Sequence, residues 1–420
     1  MDKPGHDVVV VGGGPAGSVA AITLARAGAR VALVDKASFP RDKACGDLVG
    51  PRALALLAEL SLTPPPGREV GEMVVLGPTG RRVLLPARAG RTYPGHGLAV
   101  TRLGFDAWLR EQALEAGADP YTGRVAGLVG PACVELGDGR RLEADFVIGA
   151  DGATSTIAGA ARLVDAGKSL WGFAYRGYAS QHVERPVIAL WDETPRRGFP
   201  GYGWIFPGAD GAANVGLGIG MGSDRRSASR AVERFEAFCV HLRDHRLLTG
   251  EVRSRRLGGW LRMGMVGTVP ARDRVFLVGD AAGLVNPLQG EGIAAAMMSA
   301  SAAAQAIIAD PATATRRYLE QLSAGPGRYA AATSPAHAAI SATPRRVAFV
   351  GRALTAPGIG TVISAPWALL WNDLVDGAPE GINRTVVQAT LAASRYLGRR
   401  STIARDLDAA LAPRSARPIG

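Results

Sequence analysis

The chain has 420 residues, of which 47% are apolar and 20% charged, so its length and composition are those of an ordinary globular protein with two or three domains. The formal net charge is +11, but only four of the 48 basic residues are lysines and no basic run is interleaved with aromatic residues, which argues against nucleic-acid binding. The excess positive charge is better explained by attraction of the protein to an acidic membrane surface.

The first predicted element is a βαβ unit over residues 8–35. Four valines lead into Gly12-x-Gly14-x-x-Gly17, an alanine-rich helical pattern follows, and a second apolar run ends at Asp35. Gly12 allows a tight turn, Gly14 lets a pyrophosphate approach the main chain, and Gly17 lets the helix pack close to the strand. The helix N-terminus offers free N–H groups to phosphates, and Asp35 is spaced to meet the adenosine ribose. The flanking strands favour a dinucleotide site over an ordinary glycine-rich turn.

A turn-rich segment follows and carries Cys45, Gly46 and Asp47 to a predicted helix at residues 51–60. Further along the chain, periodicity predicts an amphipathic helix at residues 103–116 and short strands at 73–76, 82–85, 132–136, 140–144 and 146–148. The last of these strands leads into the sequence Gly-Ala-Asp-Gly at residues 149–152.

Two trios of aromatic residues then alternate with other residues, which places each trio on one face of a strand: Trp171, Phe173 and Tyr175, and later Tyr202, Trp204 and Phe206. Both trios are compatible with the core of a sheet. We interpret Trp171 and Phe173 as core residues, and Tyr202 and Trp204 as a wall that faces a ligand. A polar helix is predicted at residues 227–242.

The chain returns to the first domain with a buried-strand run at residues 275–278, which leads to Gly279 and Asp280. Asp280 at a strand end suits a carboxylate that accepts hydrogen bonds from a ribityl chain, the alternative being a helix cap. Residues 287–293 open a long alanine-rich helix, whose positive end would stabilise negative charge on a reduced flavin. From about residue 312 the chain is predicted to be helical and rich in arginine.

Cys45, Cys133 and Cys239 are widely spaced and form no CxxC pair, so we expect neither disulfides nor a metal site. The first strand begins too near the N-terminus to leave room for a cleavable signal. The long uncharged stretch at residues 353–372 contains prolines and glycines, which predicts a buried or membrane-grazing hairpin and not a transmembrane helix. The expected location is the cytoplasm, or peripherally the membrane surface.

Three dispersed segments, GGGPAG with Asp35, GADG at 149–152 and GDAAGLVNPLQGEGI at 279–293, together resemble the FAD-dependent oxidoreductases of the para-hydroxybenzoate hydroxylase superfamily. Two more, FPRDKACGD at 39–47 and PGYGWIFP at 200–207, resemble the signatures of geranylgeranyl reductases, flavoenzymes that saturate isoprenoid double bonds. The resemblance implies that Cys45 lies beside the flavin and that Arg41 and Arg102 contact FAD.

The motifs and the resemblance together give a set of expected site residues. The expected FAD-binding residues are Gly12, Gly14, Pro15, Ala16, Gly17, Asp35, Lys36, Arg41, Cys45, Gly46, Asp47, Arg102, Asp151, Gly152, Gly279, Asp280, Pro287, Gly290, Gly292 and Ile293. In the family that it resembles, a Tyr-x-Trp-x-Phe-Pro strand lines the substrate cavity, which here implies Tyr202, Trp204, Phe206 and Pro207. The candidate catalytic residues are Cys45, Tyr202 and Trp204.

The fold expected from this pattern is α/β: a doubly wound Rossmann-type FAD-binding domain, an inserted and mostly antiparallel β-sheet domain for the substrate, and a helical C-terminal segment. The FAD-binding domain is expected at residues 1–70, 96–165 and 270–325, the substrate domain at 71–95 and 166–269, and the helical segment at 326–420.

The expected activity is reduction of carbon-carbon double bonds in an isoprenoid or similar long apolar substrate, with hydride from reduced flavin and a proton from an acid. Cys45 is either that acid or a packing residue, while His96 and His182 are weaker candidates. Tyr202 and Trp204 would stabilise developing positive charge. Only one dinucleotide fold is apparent, so NAD(P)H must visit transiently or a ferredoxin-type partner must supply electrons. The alternatives are a flavin monooxygenase for an aromatic or polyketide substrate, and a flavin- or lipid-binding protein without turnover.

Overall fold

A computed structural model describes residues 5–85, 89–90, 92–194, 197–221, 225–358 and 360, with isolated positions after that. The strands are β1 His6–Val11, β2 Val31–Asp35, β3 Leu48–Val49, β4 Arg68–Val70, β5 Met73–Leu76, β6 Arg82–Leu85, β7 Gly97–Ala99, β8 Asp119–Thr122, β9 Val125–Val129, β10 Cys133–Leu136, β11 Arg141–Gly149, β12 Leu170–Ala179, β13 Val187–Ala189, β14 Asp192–Thr194, β15 Arg197–Gly198, β16 Gly201–Pro207, β17 Ala213–Met221, β18 Val252–Met263, β19 Ala271–Arg272 and β20 Val275–Leu277. The helices are α1 Pro15–Arg26, α2 Pro51–Glu59, α3 Arg102–Glu115, α4 Thr156–Ala160, α5 Ala231–Asp244, α6 Ile293–Ala309, α7 Ala314–Ala324, α8 Pro326–Ser341 and α9 Pro344–Leu354, with 3-10 turns at Arg226–Arg230 and Gly279–Ala282.

The first sheet has eight strands and is parallel at its centre, where β20, β11, β1, β2 and β8 lie side by side. β1 and β2 are almost wholly buried: α1 packs against them, and their cluster of buried residues also takes in Val134 and Leu136 of β10. Helix α1 packs against both strands and against α3 and α6. This arrangement confirms the predicted Rossmann-type domain.

The second sheet has seven strands in the order β18, β12, β17, β16, β13, β5 and β6, and only the pair β13 and β5 is parallel. The predicted mostly antiparallel sheet is therefore confirmed. Helix α5 covers one face, where its Phe235 and Phe238 share a buried cluster with Val215, Leu217 and Ile219 of β17.

The first aromatic trio lies on the face of this sheet that α5 covers. Trp171 and Phe173 of β12 make edge-to-face contacts with Trp260, at ring-centroid distances of 6.0 and 5.0 Å. Tyr175 packs in the same way on Phe235 at 5.1 Å. The interpretation of Trp171 and Phe173 as core residues is confirmed.

Three helices, α7, α8 and α9, continue the chain after α6, in the part of the sequence predicted to be helical from about residue 312. α9 lies against β15, where Gly198 leaves room for its backbone: a Cβ at Gly198 would lie 2.5 Å from the nitrogen of Ala348. Most of the hairpin predicted at residues 353–372 lies outside the described residues. None of the described helices combines the length and the apolarity needed to cross a bilayer.

We propose that the two sheets and the C-terminal helices correspond to the three predicted parts of the chain. β5 and β6 come early in the sequence yet pair into the second sheet, which supports the assignment of residues 71–95 to the substrate domain.

Candidate active site

In the glycine-rich turn after β1, the backbone comes very close to neighbouring backbone at two positions, Gly12 and Gly17. Gly12 has a φ of +107°, and a Cβ there would lie 2.4 Å from the carbonyl oxygen of Ala150. A Cβ at Gly17 would lie 1.7 Å from the carbonyl oxygen of Gly12. Only glycine fits at these two positions, so β1, α1 and the turn at residues 149–152 can meet closely.

The N-terminus of α1 is open to a ligand. Its cap residue is Gly14, and no side chain caps the first turn. Asp35 at the end of β2 accepts a hydrogen bond from the N–H of Gly13 at 2.7 Å, which fixes the carboxylate beside the turn. A side chain at Gly14 would meet the guanidinium of Arg41 at 3.1 Å. A cradle of glycines, free amides and an arginine fits the diphosphate of FAD, and Asp35 fits its ribose.

Next to this cradle lie Arg41 and three charged residues of α3, one of which is the buried Asp106. Arg102 binds Asp106 in a bidentate ion pair, with both N–O distances at 2.7 Å, and Arg41 binds the same carboxylate at 2.9 Å. The guanidinium of Arg110, like that of Arg41, lies 5.0 Å from the ring of Phe39. Arg110 was not predicted, although its spacing of four residues from Asp106 and eight from Arg102 puts all three on one helix face.

The turn after β20 brings Asp280 to the same region. Its carboxylate forms an ion pair with Lys43, with Nζ and Oδ2 3.0 Å apart, and both residues line the cavity described below. The N-terminus of α6 at Gly292 lies beside Asp280, and Glu291 accepts a hydrogen bond from the N–H of Ala294 in the first turn. Lys43 was not predicted, because nothing local in the sequence marks a partner 237 residues away.

Asp151 has a structural role in this arrangement. Its carboxylate accepts hydrogen bonds from the N–H of Thr156 at 2.7 Å, the N–H of Ile157 at 3.3 Å and the hydroxyl of Ser155. Burial raises the pKa of Asp151, and these hydrogen bonds oppose the shift. Asp151 therefore caps the first turn of α4 together with Ser155, its N-cap residue, and we propose its contact with FAD and that of Gly152 beside it.

The loop at Cys45, Gly46 and Asp47 packs directly on β16. A Cβ at Gly46 would lie 2.8 Å from the ring of Phe206, so glycine allows this contact. Cys45 is half-buried and lines the cavity. Burial raises the pKa of its thiol, while the charge of Arg102 opposes the shift, so the thiol stays protonated at neutral pH.

Asn214 on β17 ties this loop to the aromatic strand through a buried hydrogen-bond network. Its amide nitrogen donates to the carbonyl oxygen of Cys45 and to the carboxylate of Asp47, each at 2.9 Å. Its amide oxygen accepts from the indole N–H of Trp204 at 2.8 Å. Asp47 also accepts the hydroxyl of Tyr178. The only signal for Asn214 in the sequence is a polar residue in an otherwise apolar strand.

One cavity of about 440 Å³ contains both the predicted cofactor segments and the predicted substrate strand. Tyr202, Trp204 and Phe206 line it, whereas Pro207 is buried at the end of β16 and is not among the lining residues. The hydroxyl of Tyr202 donates to the carbonyl oxygen of Gln289, and burial raises its pKa. The cofactor end is formed by Pro15, Lys43, Cys45, Arg102, Asp280 and Pro287 to Ile293, and helices α8 and α9 contribute Ile340, Ser341, Val347, Val350 and Leu354 to the lining.

Sequence comparisons assign the chain to a family. Residues 7–40 match the model of FAD dependent oxidoreductases, and residues 124–333 match that of the FAD binding domain. The chain is 37% identical over 299 residues to the menaquinone reductase of Mycolicibacterium smegmatis, which covers 68% of this chain and 72% of that protein. The chain belongs to this family of FAD-dependent reductases.

The family includes reductases of other isoprenoid lipids. The chain is 33% identical over 340 residues to digeranylgeranylglycerophospholipid reductase 2 of Methanopyrus kandleri, covering 75% of this chain and 81% of that protein. Its fold is shared with a geranylgeranyl bacteriochlorophyll reductase-like protein from Thermoplasma acidophilum, with a TM-score of 0.66 and 22% identity over 96% of this chain and 99% of the other. The protein is therefore an FAD-dependent oxidoreductase, and we propose the residues around the cradle as its FAD contacts.

The remaining candidates from the sequence differ in their exposure and in their distance from the cavity. Lys36 is exposed, while Ala16 is buried in α1. His96 lies 3.9 Å from Glu69 at the surface, and neither His96 nor His182 lines the cavity. A histidine that does line it, His337 on α8, was not predicted.

Proposed function

We propose that the protein saturates carbon-carbon double bonds of an isoprenoid or a similarly long apolar substrate. The observation that carries this proposal is that an aromatic strand and apolar helices line the same cavity as the cofactor end. The names of the relatives, which act on menaquinone and on geranylgeranyl lipids, agree with such a substrate.

Addition of two hydrogens to an alkene needs a hydride on one carbon and a proton on the other. Reduced FAD, when bound, supplies the hydride. Isolated alkenes are poor hydride acceptors, so positive charge develops as the proton arrives, and the face of Trp204 stabilises it. Asn214 holds that indole by its N–H, so the ring is oriented before the substrate binds.

The proton donor that we propose is the thiol of Cys45. It lines the cavity, and its raised pKa keeps the proton on sulfur at neutral pH. Tyr202 is less suited to this role, because its hydroxyl proton is already donated to the carbonyl oxygen of Gln289. We assign Tyr202, Trp204 and Phe206 to substrate binding.

We further propose that the electrons come from NAD(P)H or from a ferredoxin-type protein, each bound transiently. The net charge of +11 supports peripheral attachment to an acidic membrane, where a long apolar substrate would dissolve.

An anaerobic assay tests the reductase function against the monooxygenase alternative. The photoreduced enzyme is mixed in the absence of oxygen with a geranylgeranyl lipid, which carries no quinone ring that could take up the electrons, and flavin reoxidation is followed by absorbance. A reductase reoxidises its flavin and yields a product heavier by two hydrogens. A monooxygenase stays reduced until oxygen is admitted, and a binding protein without turnover yields no product under either condition.

A further inference from the structure

Helix α8 places a polar pair on a cavity wall that is otherwise apolar. His337 is 8% exposed and lines the cavity together with Ser341, one helical turn later. The Nε2 atom of His337 lies 3.3 Å from the hydroxyl oxygen of Ser341. Gly220 of β17 makes room for the ring, since a Cβ there would lie 2.5 Å from its Cε1 atom.

The direction of the hydrogen bonds in this pair follows from its neighbours. The His337 ring also bonds to the backbone carbonyl of Pro287, which can only accept, so the ring donates an N–H there. Burial lowers the pKa of His337 and so favours the neutral ring; we assign the N–H to Nδ1, which leaves Nε2 as the acceptor. The hydroxyl of Ser341 then donates to Nε2, and its oxygen keeps lone pairs free to accept a hydrogen bond.

The charged side chains that line the described cavity already have partners within the protein. The pairs are Lys43 with Asp280, Arg102 with Asp106, Asp192 with Arg352, and Glu291 with the backbone N–H of Ala294. The described lining therefore holds no cluster of unpaired cations of the kind that binds a diphosphate. The polar group that this wall can accept is uncharged and donates a hydrogen bond.

We propose that Ser341 and His337 bind a hydroxyl group of the substrate, so that the enzyme selects isoprenoids with an uncharged, hydroxyl-bearing end. The substrate hydroxyl donates to Ser341, Ser341 donates to His337, and His337 donates to the carbonyl of Pro287. This proposal rests on the reductase function proposed above, and it assigns a specificity-determining pair for that function.

Geranylgeraniol and its methyl ether test the proposal, because they differ only in the hydrogen that would be donated. The photoreduced, FAD-loaded enzyme is titrated anaerobically with each compound, and the concentration dependence of flavin reoxidation gives an apparent Kd. One hydrogen bond corresponds to a preference of roughly three- to tenfold for the alcohol. In Ser341→Ala the preference falls to about one, whereas Ser341→Thr, which restores a hydroxyl, keeps it.

Two further variants distinguish the loss of the proposed hydroxyl site from a general loss of folding. Ser323→Ala removes a hydroxyl from α7 that bonds to the carbonyl of Glu320 outside the cavity, so the preference should remain. His337→Leu removes the acceptor of the Ser341 hydroxyl and should lower the preference even if Ser341→Ala folds poorly. Equal reduction of both compounds by the wild type, or a preference retained in Ser341→Ala, overturns the hydroxyl site and leaves the reductase function intact. If neither compound reoxidises the wild-type flavin but another geranylgeranyl lipid does, the hydroxyl site fails and the reductase function stands; if no geranylgeranyl lipid does, both proposals fail.

Discussion

Asn214 is the residue on which the orientation of the aromatic wall depends. It is fully buried and satisfies an indole N–H, a backbone carbonyl and a carboxylate at once. In a low-dielectric interior such a network defines one arrangement, because each unmade bond is costly.

Replacement of Asn214 by leucine keeps the volume and removes every hydrogen bond. We expect the free energy of unfolding to fall by about 2 to 3 kcal/mol, since the indole N–H of Trp204 and the carbonyl of Cys45 lose their partner and Asp47 loses one of its hydrogen bonds. Urea denaturation of the FAD-loaded protein measures this change. Trp204→Phe removes only one of the bonds and should cost less, and a stability of Asn214→Leu equal to that of the wild type would contradict the assigned network.

Tyr202 provides a second test at the scale of one residue. Tyr202→Ala shortens the aromatic wall but touches none of the proposed contacts of the FAD diphosphate. We therefore expect it to slow substrate-dependent flavin reoxidation by at least roughly tenfold, the effect of losing about 1.4 kcal/mol of interaction, with FAD content unchanged. Absorbance of the bound flavin supplies the control. Loss of FAD with intact substrate binding would show that β16 belongs to the cofactor site instead.

At the scale of an element, β17 lies between two environments. Leu217 and Ile219 belong to the buried cluster under α5, whereas a Cβ at Gly216 or Gly218 would approach Trp204 and one at Gly220 would approach His337. The three glycines differ in what a side chain would meet.

A methyl group at Gly216 would lie 2.2 Å from the indole of Trp204, whereas at Gly218 its nearest atom is 3.9 Å away. We expect Gly216→Ala to lower the free energy of unfolding by about 1 to 3 kcal/mol through overpacking. Gly218→Ala should have the stability of the wild type, but it places a methyl group in the cavity and should weaken substrate binding. Thermal denaturation and reoxidation titrations separate the two effects, and equal stability losses would refute the packing described for Gly216 and Gly218.

Helix α5 carries a histidine that makes stability depend on pH. Burial, aided by the charge of His245, lowers the pKa of His241 from 6.5 to about 4. The unfolded chain therefore binds an extra proton between these values, and the stability that the neutral ring contributes is lost as pH falls from about 6.5 to 4.

His241→Phe keeps an aromatic ring beside Trp191 and cannot titrate. Relative to the wild type, we expect this variant to gain stability steadily as the pH is lowered from 7 to 5. Urea denaturation at each pH measures the difference, and the values at pH 8 serve as the reference. A difference that does not change with pH would contradict the assigned shift.

At the scale of the whole molecule, the FAD cradle is assembled from β1 and α1, the Cys45 loop, α3 and the turn after β20. A ligand held by segments so far apart in sequence stabilises the fold as a unit, by about 4 kcal/mol at a concentration of 1,000 times Kd. We expect added FAD to raise the melting temperature of protein stripped of flavin, as measured by circular dichroism. Gly17→Ala, whose Cβ would overlap the carbonyl of Gly12, should show little or no rise. The same rise in both proteins would place FAD elsewhere.

The sequence alone predicted the features that depend on short-range patterns of residues. Strand runs, the glycines at Gly12 and Gly17 and the alternating aromatic residues follow from short-range periodicity, and the structure has these elements within a few residues of the predicted bounds. Lys43, Asn214 and His337 were missed because each acquires its role only from tertiary contacts. Asp151 is a different case, since its motif was visible but its function as the cap of α4 depends on the hydrogen bonds of the folded turn.

A chamber of about 440 Å³, shared between cofactor and substrate and closed on one side by α8 and α9, is too small to enclose a long polyprenyl chain entirely. For the isoprenoid substrate that we propose, most of the molecule would stay outside the cavity while one stretch of it is reduced. We therefore propose that the distance to which the chain can enter fixes which double bond reacts, so that adding isoprene units to the outer tail leaves that choice unchanged.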